Sequence, residues 1–296
     1  MTTKPLFKTI DDLMLENHIE LSEDDACFYL KKYDNVIKIS KTHKVYLKTL
    51  MRFFDIHFFA VENEKVNGLS VVDYSCSRKH KVIGYDKFEV YCPSLAETFD
   101  TVSQYLEYAK LKDGDVVLDL GSYSGLTSVV FAESVGKNGK VIAVEPDALN
   151  YSCLEKNVAQ MEDSSNVECL NAAAWKETGK LSFSNENSMG SSAVSIVGER
   201  GLLNEVDCFT LNDMADKYNL DKIDFIKCDI EGAEAYIFDD DNFFSKFKPR
   251  ILVETHIVAG NFCDKLCIDA LSKHGYSHKY ISQNGLEMPL IVFEIE

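Results

Sequence analysis

A strand that runs into a glycine-bracketed turn and then into a helix most constrains the fold of this chain. Residues 116–118 are apolar and Asp119 ends the run, after which Gly121 and Gly125 enclose a turn before an apolar helical segment, residues 126–135. Glycine lets a ligand approach the backbone closely, and a helix N-terminus carries partial positive charge. The segment therefore predicts a nucleotide-type pocket, with the backbone N–H groups of the turn facing the ligand.

The chain from residue 113 onward alternates between predicted strands and helices. The strand candidates are Val116–Leu120, 141–145, 167–172, 223–229, Arg250–Glu254, 278–281 and Leu290–Glu294. The helix candidates are Leu126–Val135, 149–161, 211–218, 233–238 and 265–274. Repeated strand–helix units form a parallel sheet with helices on both faces, so the predicted fold class is α/β. The last two strands have no helix between them and are predicted to pair antiparallel at one edge, and residues 179–209 to add one or two strands around a polar loop.

Residues 1–95 differ in texture from the rest and are predicted to form an N-terminal extension, with the main domain at residues 96–296. Two short amphipathic helices and a strand pair are predicted there, at residues 6–17, 24–33, 69–74 and 81–91. The extension is rich in aromatic residues, so we expect it to bury apolar surface on the main domain or across a homodimer.

Charge and cysteine usage narrow the class of partner. The net charge of −17 argues against nucleic acid, because neutralising phosphates requires clustered Lys and Arg. No apolar run approaches the length of a membrane span. The nine cysteines form no CxxC pair and the N-terminus has no apolar leader, which together predict reduced thiols and a cytoplasmic protein.

Acids at the strand ends indicate the kind of ligand. Glu145 ends the second strand, where a carboxylate accepts hydrogen bonds from the ribose hydroxyls of a nucleoside. Pro146 begins the next turn, and Asp147 is either a helix cap or a ligand contact. Nicotinamide-dependent oxidoreductases share the ribose acid. The carboxylate of Asp119, however, would repel a pyrophosphate and suits a cationic ligand such as S-adenosylmethionine.

A second group of acids follows the later strands. Asp229 ends a buried-looking strand and Glu231 follows it, while Glu254 ends the next strand and precedes His256 by two residues. Adjacent parallel strands bring these side chains to one sheet edge, where they predict a general base or a site for a hard divalent ion such as Mg²⁺. Alternatively, Glu231 and Glu234 stabilise a helix N-terminus, and His256 is an exposed residue without a role.

Five segments of the chain, taken in order, resemble the FkbM family of S-adenosylmethionine-dependent methyltransferases. They are residues 118–125, 144–147, 171–173, 227–234 and 254–256. The Lys-x-Asp-x-Glu-Gly-Ala-Glu string at 227–234 is the most specific, and the resemblance covers about residues 105–260. It departs from the usual Gly-Ala-Asn-x-Gly turn of the family at Ser122 and Tyr123. The resemblance implies a Rossmann-like class I methyltransferase fold and methylation of a hydroxyl on a sugar, glycan or other small molecule.

The resemblance also implies roles for single residues. The implied cofactor contacts are Asp119, Gly121, Ser122, Tyr123, Ser124 and Gly125 for the methionine part, Glu145 and Pro146 for the ribose, Ala172 and Ala173 for the adenine, and Asp229 near the methyl group. The catalytic candidates are Asp229, Glu231, Glu254 and His256. Related sugar and catechol methyltransferases hold Mg²⁺ at these strand ends, which makes Asp229, Glu254 and His256 the candidate ligands. Two other functions stay open: an NAD-dependent oxidoreductase, and a catalytically silent module that binds S-adenosylmethionine.

Overall fold

The chain divides into two units, residues 1–99 and residues 100–296. The computed structural model describes residues 8–199, 201–283 and 290–295. The sequence prediction places the boundary after residue 95, and the first two residues of the helix predicted at 6–17 lie outside the described part.

A five-stranded sheet forms the centre of the N-terminal unit. The strands of this unit are β1 Glu20–Glu23, β2 Cys27–Lys32, β3 Asn35–Ser40, β4 Glu64–Val66, β5 Leu69–Tyr74, β6 Arg78–His80 and β7 Val90–Cys92. Its helices are α1 Ile10–Asn17, α2 Leu47–Arg52 and α3 His57–Ala60, with 3₁₀ segments at Lys41–Tyr46 and Phe54–Ile56. The sheet order is β1-β2-β3-β5-β4, and β6 and β7 form a separate antiparallel pair.

Two predictions for this unit are wrong. Residues 24–33 contain strand β2 and not a helix, because Phe28 and Leu30 are buried while Lys31 is exposed, the two-residue alternation of a strand. Strand β5 does not pair with residues 81–91, since it lies between β3 and β4. Strand β7, which begins within residues 81–91, pairs instead with β6, which directly precedes that segment.

The C-terminal unit contains the residues predicted for the site. Its strands are β8 Val116–Leu120, β9 Lys140–Val144, β10 Val167–Leu170, β11 Ala173–Ala174, β12 Gly179–Asn185, β13 Ser192–Ala193, β14 Leu202–Phe209, β15 Phe225–Cys228, β16 Arg250–Glu254, β17 Ile257–Val258, β18 Asn261–Phe262, β19 Ser277–Ile281 and β20 Leu290–Glu294. Its helices are α4 Phe99–Ala109, α5 Leu126–Val135, α6 Ala148–Val158, α7 Val194–Val197, α8 Leu211–Lys217, α9 Glu234–Ile237, α10 Asp241–Lys246 and α11 Asp264–Ser272.

Seven of these strands form one sheet in the order β10-β9-β8-β15-β16-β20-β19. The first five are parallel, and β20 runs antiparallel to both β16 and β19. The predicted α/β fold class with a mostly parallel seven-stranded sheet is confirmed. The direction of strand order reverses between β8 and β15, and ligands of open α/β sheets bind beyond the carboxyl ends of the strands at such a point.

Helices cover both faces of this sheet. Neighbouring residues of a strand point to opposite faces, so each face contributes apolar side chains to a different cluster. Val117 packs in a cluster with Phe131 of α5, whereas Leu118 packs in another with Met214 of α8 and Phe243 of α10. Both valine and leucine are fully buried, so the strand reads as a continuous apolar run. Burial on both faces fixes the position of the strand end that bears the turn.

A smaller sheet is inserted between β10 and β15, in the order β11-β14-β12-β13. It accounts for the extra strands predicted within residues 179–209. The loop between β12 and β13 is polar and spans residues 186–191.

Within the described ranges, no helix combines the length and apolar character that crossing a bilayer requires.

Candidate active site

The turn after β8 has an unusual backbone. Gly121, Tyr123 and Gly125 all have positive φ, at 77°, 49° and 84°. A Cβ on Gly121 would lie 1.7 Å from the carbonyl oxygen of Asp229, so glycine is required there by close backbone approach. The turn is therefore packed directly against the end of β15.

The N–H groups of Gly121, Ser122, Tyr123 and Gly125 are used within the protein, which corrects the expectation that the turn directs them at the ligand. Those of Gly121 and Ser122 donate to the carbonyl oxygen of Val144, each at 3.0 Å. That of Tyr123 donates to Glu145 Oε2 at 2.9 Å, and that of Gly125 to the carbonyl oxygen of Ser122 at 2.7 Å. The parallel pairing of β8 with β9 continues past the strand ends and consumes these donors.

Asp119 is fully buried and bonded inside the unit. Ser128 Oγ donates to its Oδ2 at 2.5 Å, and Lys227 Nζ lies 3.5 Å from its Oδ1. Lys227 is itself almost completely buried, and it donates to the carbonyl oxygen of Gly121 at 2.6 Å. Its Nζ also lies 3.6 Å from Asp229 Oδ2. One buried cation thus joins the turn to the acids after β15.

Lys227 is a residue to which the sequence alone assigned no role. The signal that could have found it is a lysine inside an apolar strand, because a buried ammonium requires charged or polar partners.

Glu145 is buried at the end of β9, beside the turn. In addition to the Tyr123 amide, its carboxylate accepts from the Asp147 amide at 2.8 Å and from Asn150 Nδ2 at 3.3 Å. Burial, and next the charge of Asp147, raises the pKa of Glu145 to about 8. A carboxylate offers about four acceptor positions, so a ribose hydroxyl can still donate to it. The carboxylate of Glu145 therefore fits the ribose of the implied cofactor.

The predicted adenine residues lie at the beginning of the inserted sheet. Ala172 and Ala173 are both buried, and Asn171 Nδ2 donates to the carbonyl oxygens of Glu145 and Pro146 at 2.8 and 3.2 Å. The ends of β9 and β10 are therefore tied together. Ser124, also predicted for the cofactor, is fully buried in the turn.

The second group of acids meets at the ends of β15 and β16. His256 Nε2 lies 3.6 Å from Asp229 Oδ1 and 3.6 Å from Glu231 Oε1. Glu231 reaches this position because its φ is +54° and Gly232 follows with φ of +104°, which turns the chain back toward His256. We call Asp229, Glu231 and His256 the acid–histidine cluster.

Charge around the imidazole is unbalanced. Burial disfavours protonated His256, but Glu231 and Glu234 outweigh it and hold the histidine pKa well above its usual value. Burial raises the pKa of Glu231 to about 7, against the opposing effect of His256. The cluster thus has more carboxylates than cations.

Glu254 lies apart from the acid–histidine cluster in its bonding. Tyr105 Oη donates to Glu254 Oε2 at 2.7 Å, and burial together with the charge of Asp229 raises the Glu254 pKa. Among the described residues, Asp229, Glu231 and His256 form a group whose candidate ligand atoms all lie within 4.8 Å of one another. The sequence named Glu254 and not Glu231 as a candidate ligand, whereas the positive φ of Glu231 brings its carboxylate to His256.

A family model described as the methyltransferase FkbM domain matches residues 119–281, more than half of the chain. The chain belongs to the FkbM methyltransferase family. The cofactor class implied by the sequence, S-adenosylmethionine, follows for this FkbM methyltransferase, and the NAD-dependent oxidoreductase is set aside. No curated protein matches the chain.

Solved methyltransferase structures match the chain with low sequence identity. An FkbM methyltransferase from Methylobacillus flagellatus KT is 17% identical, with 65% of this chain and 50% of that chain covered and a TM-score of 0.43. A precorrin-6y C5,15-methyltransferase from Geobacter metallireducens GS-15 is 16% identical over 68% and 90%, with a TM-score of 0.44. Aeropyrum pernix fibrillarin, with natively bound S-adenosyl-L-methionine, is 15% identical over 94% and 99%, with a TM-score of 0.43.

The polar loop of the inserted sheet and strand β13, which follows it, bond to the two parts of the site in this FkbM methyltransferase. Ser191 Oγ donates to Asp147 Oδ2 at 2.7 Å, next to the ribose acid. Ser192 Oγ donates to the carbonyl oxygen of Glu231 at 2.8 Å, in the acid–histidine cluster. The sequence predicted this polar loop but did not indicate that it contacts the site.

Proposed function

We propose that the protein transfers a methyl group from S-adenosylmethionine to a hydroxyl of a sugar, glycan or other small molecule. The observation that carries this proposal is the acid–histidine cluster at the carboxyl edge of the sheet, next to the turn after β8. The cofactor supplies, when bound, an activated methyl group on a sulfonium. Orientation of the acceptor and removal of its proton are the tasks left to the protein.

A hydroxyl is a weak nucleophile and must lose its proton as the new carbon–oxygen bond forms and the carbon–sulfur bond breaks. Asp229 and Glu231 offer carboxylate oxygens 3.6 Å from His256 Nε2. The side chains of both acids are about one quarter exposed, so a hydroxyl can reach them. The proton therefore passes to a carboxylate of the cluster, and the neighbouring imidazole of His256 stabilises the negative charge of the cluster.

Mg²⁺ is a second way for the same residues to activate a hydroxyl. Carboxylate oxygens suit a hard divalent ion, and the three ligand atoms lie close enough to share one. Dialysis against EDTA separates the two routes. Full activity after chelation supports the metal-free proton transfer that we propose, and a loss that Mg²⁺ restores supports the metal route.

The setting of the reaction is also a proposal. The net charge of −17 favours a small-molecule or glycan acceptor over nucleic acid. Each of the nine cysteines is a free thiol, which suits the reducing cytoplasm. A homodimer remains a proposal, to be checked by light scattering of the purified chain.

The test is a panel of sugars, glycans and hydroxylated small molecules incubated with S-adenosylmethionine and followed by mass spectrometry. We expect an acceptor that gains one methyl group, with S-adenosylhomocysteine formed in equal amount. An acceptor methylated on nitrogen or carbon would overturn O-methylation. Binding of S-adenosylhomocysteine without turnover of any acceptor would favour the catalytically silent module.

A further inference from the structure

We propose that Glu234 is the positioning residue of the acid–histidine cluster, an inference that rests on the proposed function. Glu234 lies in the first turn of α9 and is fully buried. Its Oε1 bonds to His256 Nδ1. The hydrogen bond leaves Nε2, on the opposite side of the ring, facing Asp229 and Glu231.

The geometry fixes both the direction and the role of each ring nitrogen. A histidine whose Nδ1–H donates to a carboxylate is held in one orientation, and its other nitrogen is presented to the reacting group or ion. Nε2 lies 3.6 Å from each of the two cluster carboxylates, beyond hydrogen-bond distance, and both carboxylates are partly exposed. Without the bond at Nδ1, the ring would be free to rotate away from the two carboxylates.

The burial of Glu234 argues against a role in stability. Within the described residues its Oε2 has no hydrogen-bond partner. A buried carboxylate with one unbonded oxygen costs desolvation energy that a single hydrogen bond does not fully return. A residue retained for folding alone would be better replaced by an apolar side chain, so the placement of Glu234 is explained by what it does to His256.

The position of Glu234 follows from the same chain reversal that forms the cluster. The turn at Glu231 and Gly232 places Glu231 on the exposed side of the imidazole and Glu234, three residues later, on its buried side. The two acids thus contact opposite nitrogens of one ring. Glu231 faces the acceptor, whereas Glu234 touches His256 and is closed off from solvent.

The test compares Glu234→Gln with Glu234→Leu in the full chain. Gln keeps an acceptor for Nδ1–H and Leu removes it, so we expect kcat to fall about tenfold for Gln and about a hundredfold for Leu. The affinity for S-adenosylhomocysteine is expected to stay unchanged, and the melting temperature of Glu234→Gln to stay equal or rise. Glu231→Gln changes the other acid of the same turn and leaves the Nδ1 bond in place, so it is a control for the Nδ1 contact and not for kcat.

A spectroscopic readout separates positioning from a merely structural role. In protein with isotope-labelled histidine, we expect a downfield N–H resonance for His256 Nδ1, assigned by its loss in His256→Gln. It is expected to persist in Glu234→Gln and Glu231→Gln and to vanish in Glu234→Leu. The proposal is overturned if the resonance is absent from the wild type, or if Glu234→Leu keeps both the resonance and full kcat.

The two proposals fail in different ways. Methylation on nitrogen or carbon would overturn the proposed function, yet the His256 resonance would still report the Glu234 contact. A structural role would be shown if Glu234→Leu lost kcat and both variants lost the same amount of melting temperature. That result would overturn positioning and leave O-methylation unaffected.

Discussion

Buried charge is bonded differently in two regions of the site. One is the turn after β8 with Asp119 and Glu145, which we call the cofactor end, and the other is the acid–histidine cluster. At the cofactor end, Asp119 accepts from Ser128 Oγ and lies 3.5 Å from Lys227 Nζ, and Glu145 accepts from three N–H donors. In the cluster, Asp229 and Glu231 surround His256 at distances too long for hydrogen bonds. The acids of the first region are held by contacts within the protein, and Glu145 keeps an acceptor position for a ribose hydroxyl, whereas Asp229 and Glu231 are partly exposed. Under the proposed function, the cofactor end is prearranged by the protein and the cluster offers its carboxylate oxygens to an acceptor.

Lys227 connects the two regions. Its Nζ donates to the Gly121 carbonyl and lies within 3.6 Å of carboxylates on both sides, Asp119 and Asp229. A buried cation in this position keeps the turn and the cluster at a fixed separation, because moving either one would leave a buried charge unpaired.

The largest effect is expected from a substitution that changes the acid–histidine cluster and leaves the cofactor end intact. His256→Gln is predicted to lower kcat by about a hundredfold to ten-thousandfold, the usual range for loss of a residue that assists proton transfer. The dissociation constant for S-adenosylhomocysteine, measured by calorimetry, is predicted to stay the same because His256 is not at the cofactor end.

The control for that substitution is His278→Gln, which changes an exposed histidine on strand β19. It should leave both kcat and cofactor affinity unchanged. Equal loss of cofactor affinity and kcat in His256→Gln would show that the two regions are not separable.

The next effect is expected where the two regions touch. Gly121→Ala would place a Cβ against the Asp229 carbonyl, and we predict a loss of about 3 kcal/mol or more in the free energy of unfolding. Gly114→Ala is the matched control, since Gly114 has φ of +86° but nothing within 4 Å of an added Cβ. Its predicted cost is about 1 kcal/mol, from the backbone conformation alone. Equal costs in urea unfolding would show that the close approach to β15 is unimportant.

A smaller effect is expected from the protonation of Glu145. Its pKa near 8 means that the free site is mostly protonated at pH 7, and ribose hydroxyls donate better to the carboxylate. Glu145 is about one tenth deprotonated at pH 7 and about nine tenths at pH 9, so affinity for S-adenosylhomocysteine is predicted to rise about tenfold over this range. Glu145→Gln cannot titrate and should lose this rise. The same pH dependence in both proteins, measured by calorimetry, would contradict the assignment of Glu145.

The smallest effect is expected from the loop that bonds to both regions. Ser191→Ala removes the hydrogen bond to Asp147 and the contacts of Ser191 Oγ with the Glu186 amide and the Ser188 carbonyl oxygen, and is predicted to cost about 1 kcal/mol. Hydrogen exchange of the Asn187 amide, which donates to the same carboxylate oxygen at 3.0 Å, should become faster. Ser245→Ala removes an exposed bond of the same kind and should leave that amide unchanged.

The fold was largely predictable from the sequence because the strands of the C-terminal sheet are buried on both faces. Val116–Leu120 and Arg250–Glu254 were placed with their observed bounds, since an apolar run that ends in an acid marks a strand end clearly. Strand β2 was misjudged because its short alternation of apolar and charged residues also suits an amphipathic helix.

The site was predictable in its members more than in its contacts. The carboxyl edge of a parallel sheet brings Asp229 and His256 together, which strand order alone indicates. The roles of Lys227 and Glu234 depend on which buried atoms meet, and no sequence pattern reports that. The return of Glu231 to the imidazole depends on a positive φ in a residue other than glycine, which the sequence does not mark.

The most direct test uses S-adenosylmethionine carrying an isotope label in its methyl group, with wild type and His256→Gln compared under single-turnover conditions. Nuclear magnetic resonance of the product identifies the atom that receives the label. The account predicts an O-methyl signal that wild type forms and that His256→Gln forms at least a hundredfold more slowly at saturating cofactor, about the lower bound for proton-transfer assistance. A label on nitrogen or carbon, or equal rates in the two proteins, would contradict it.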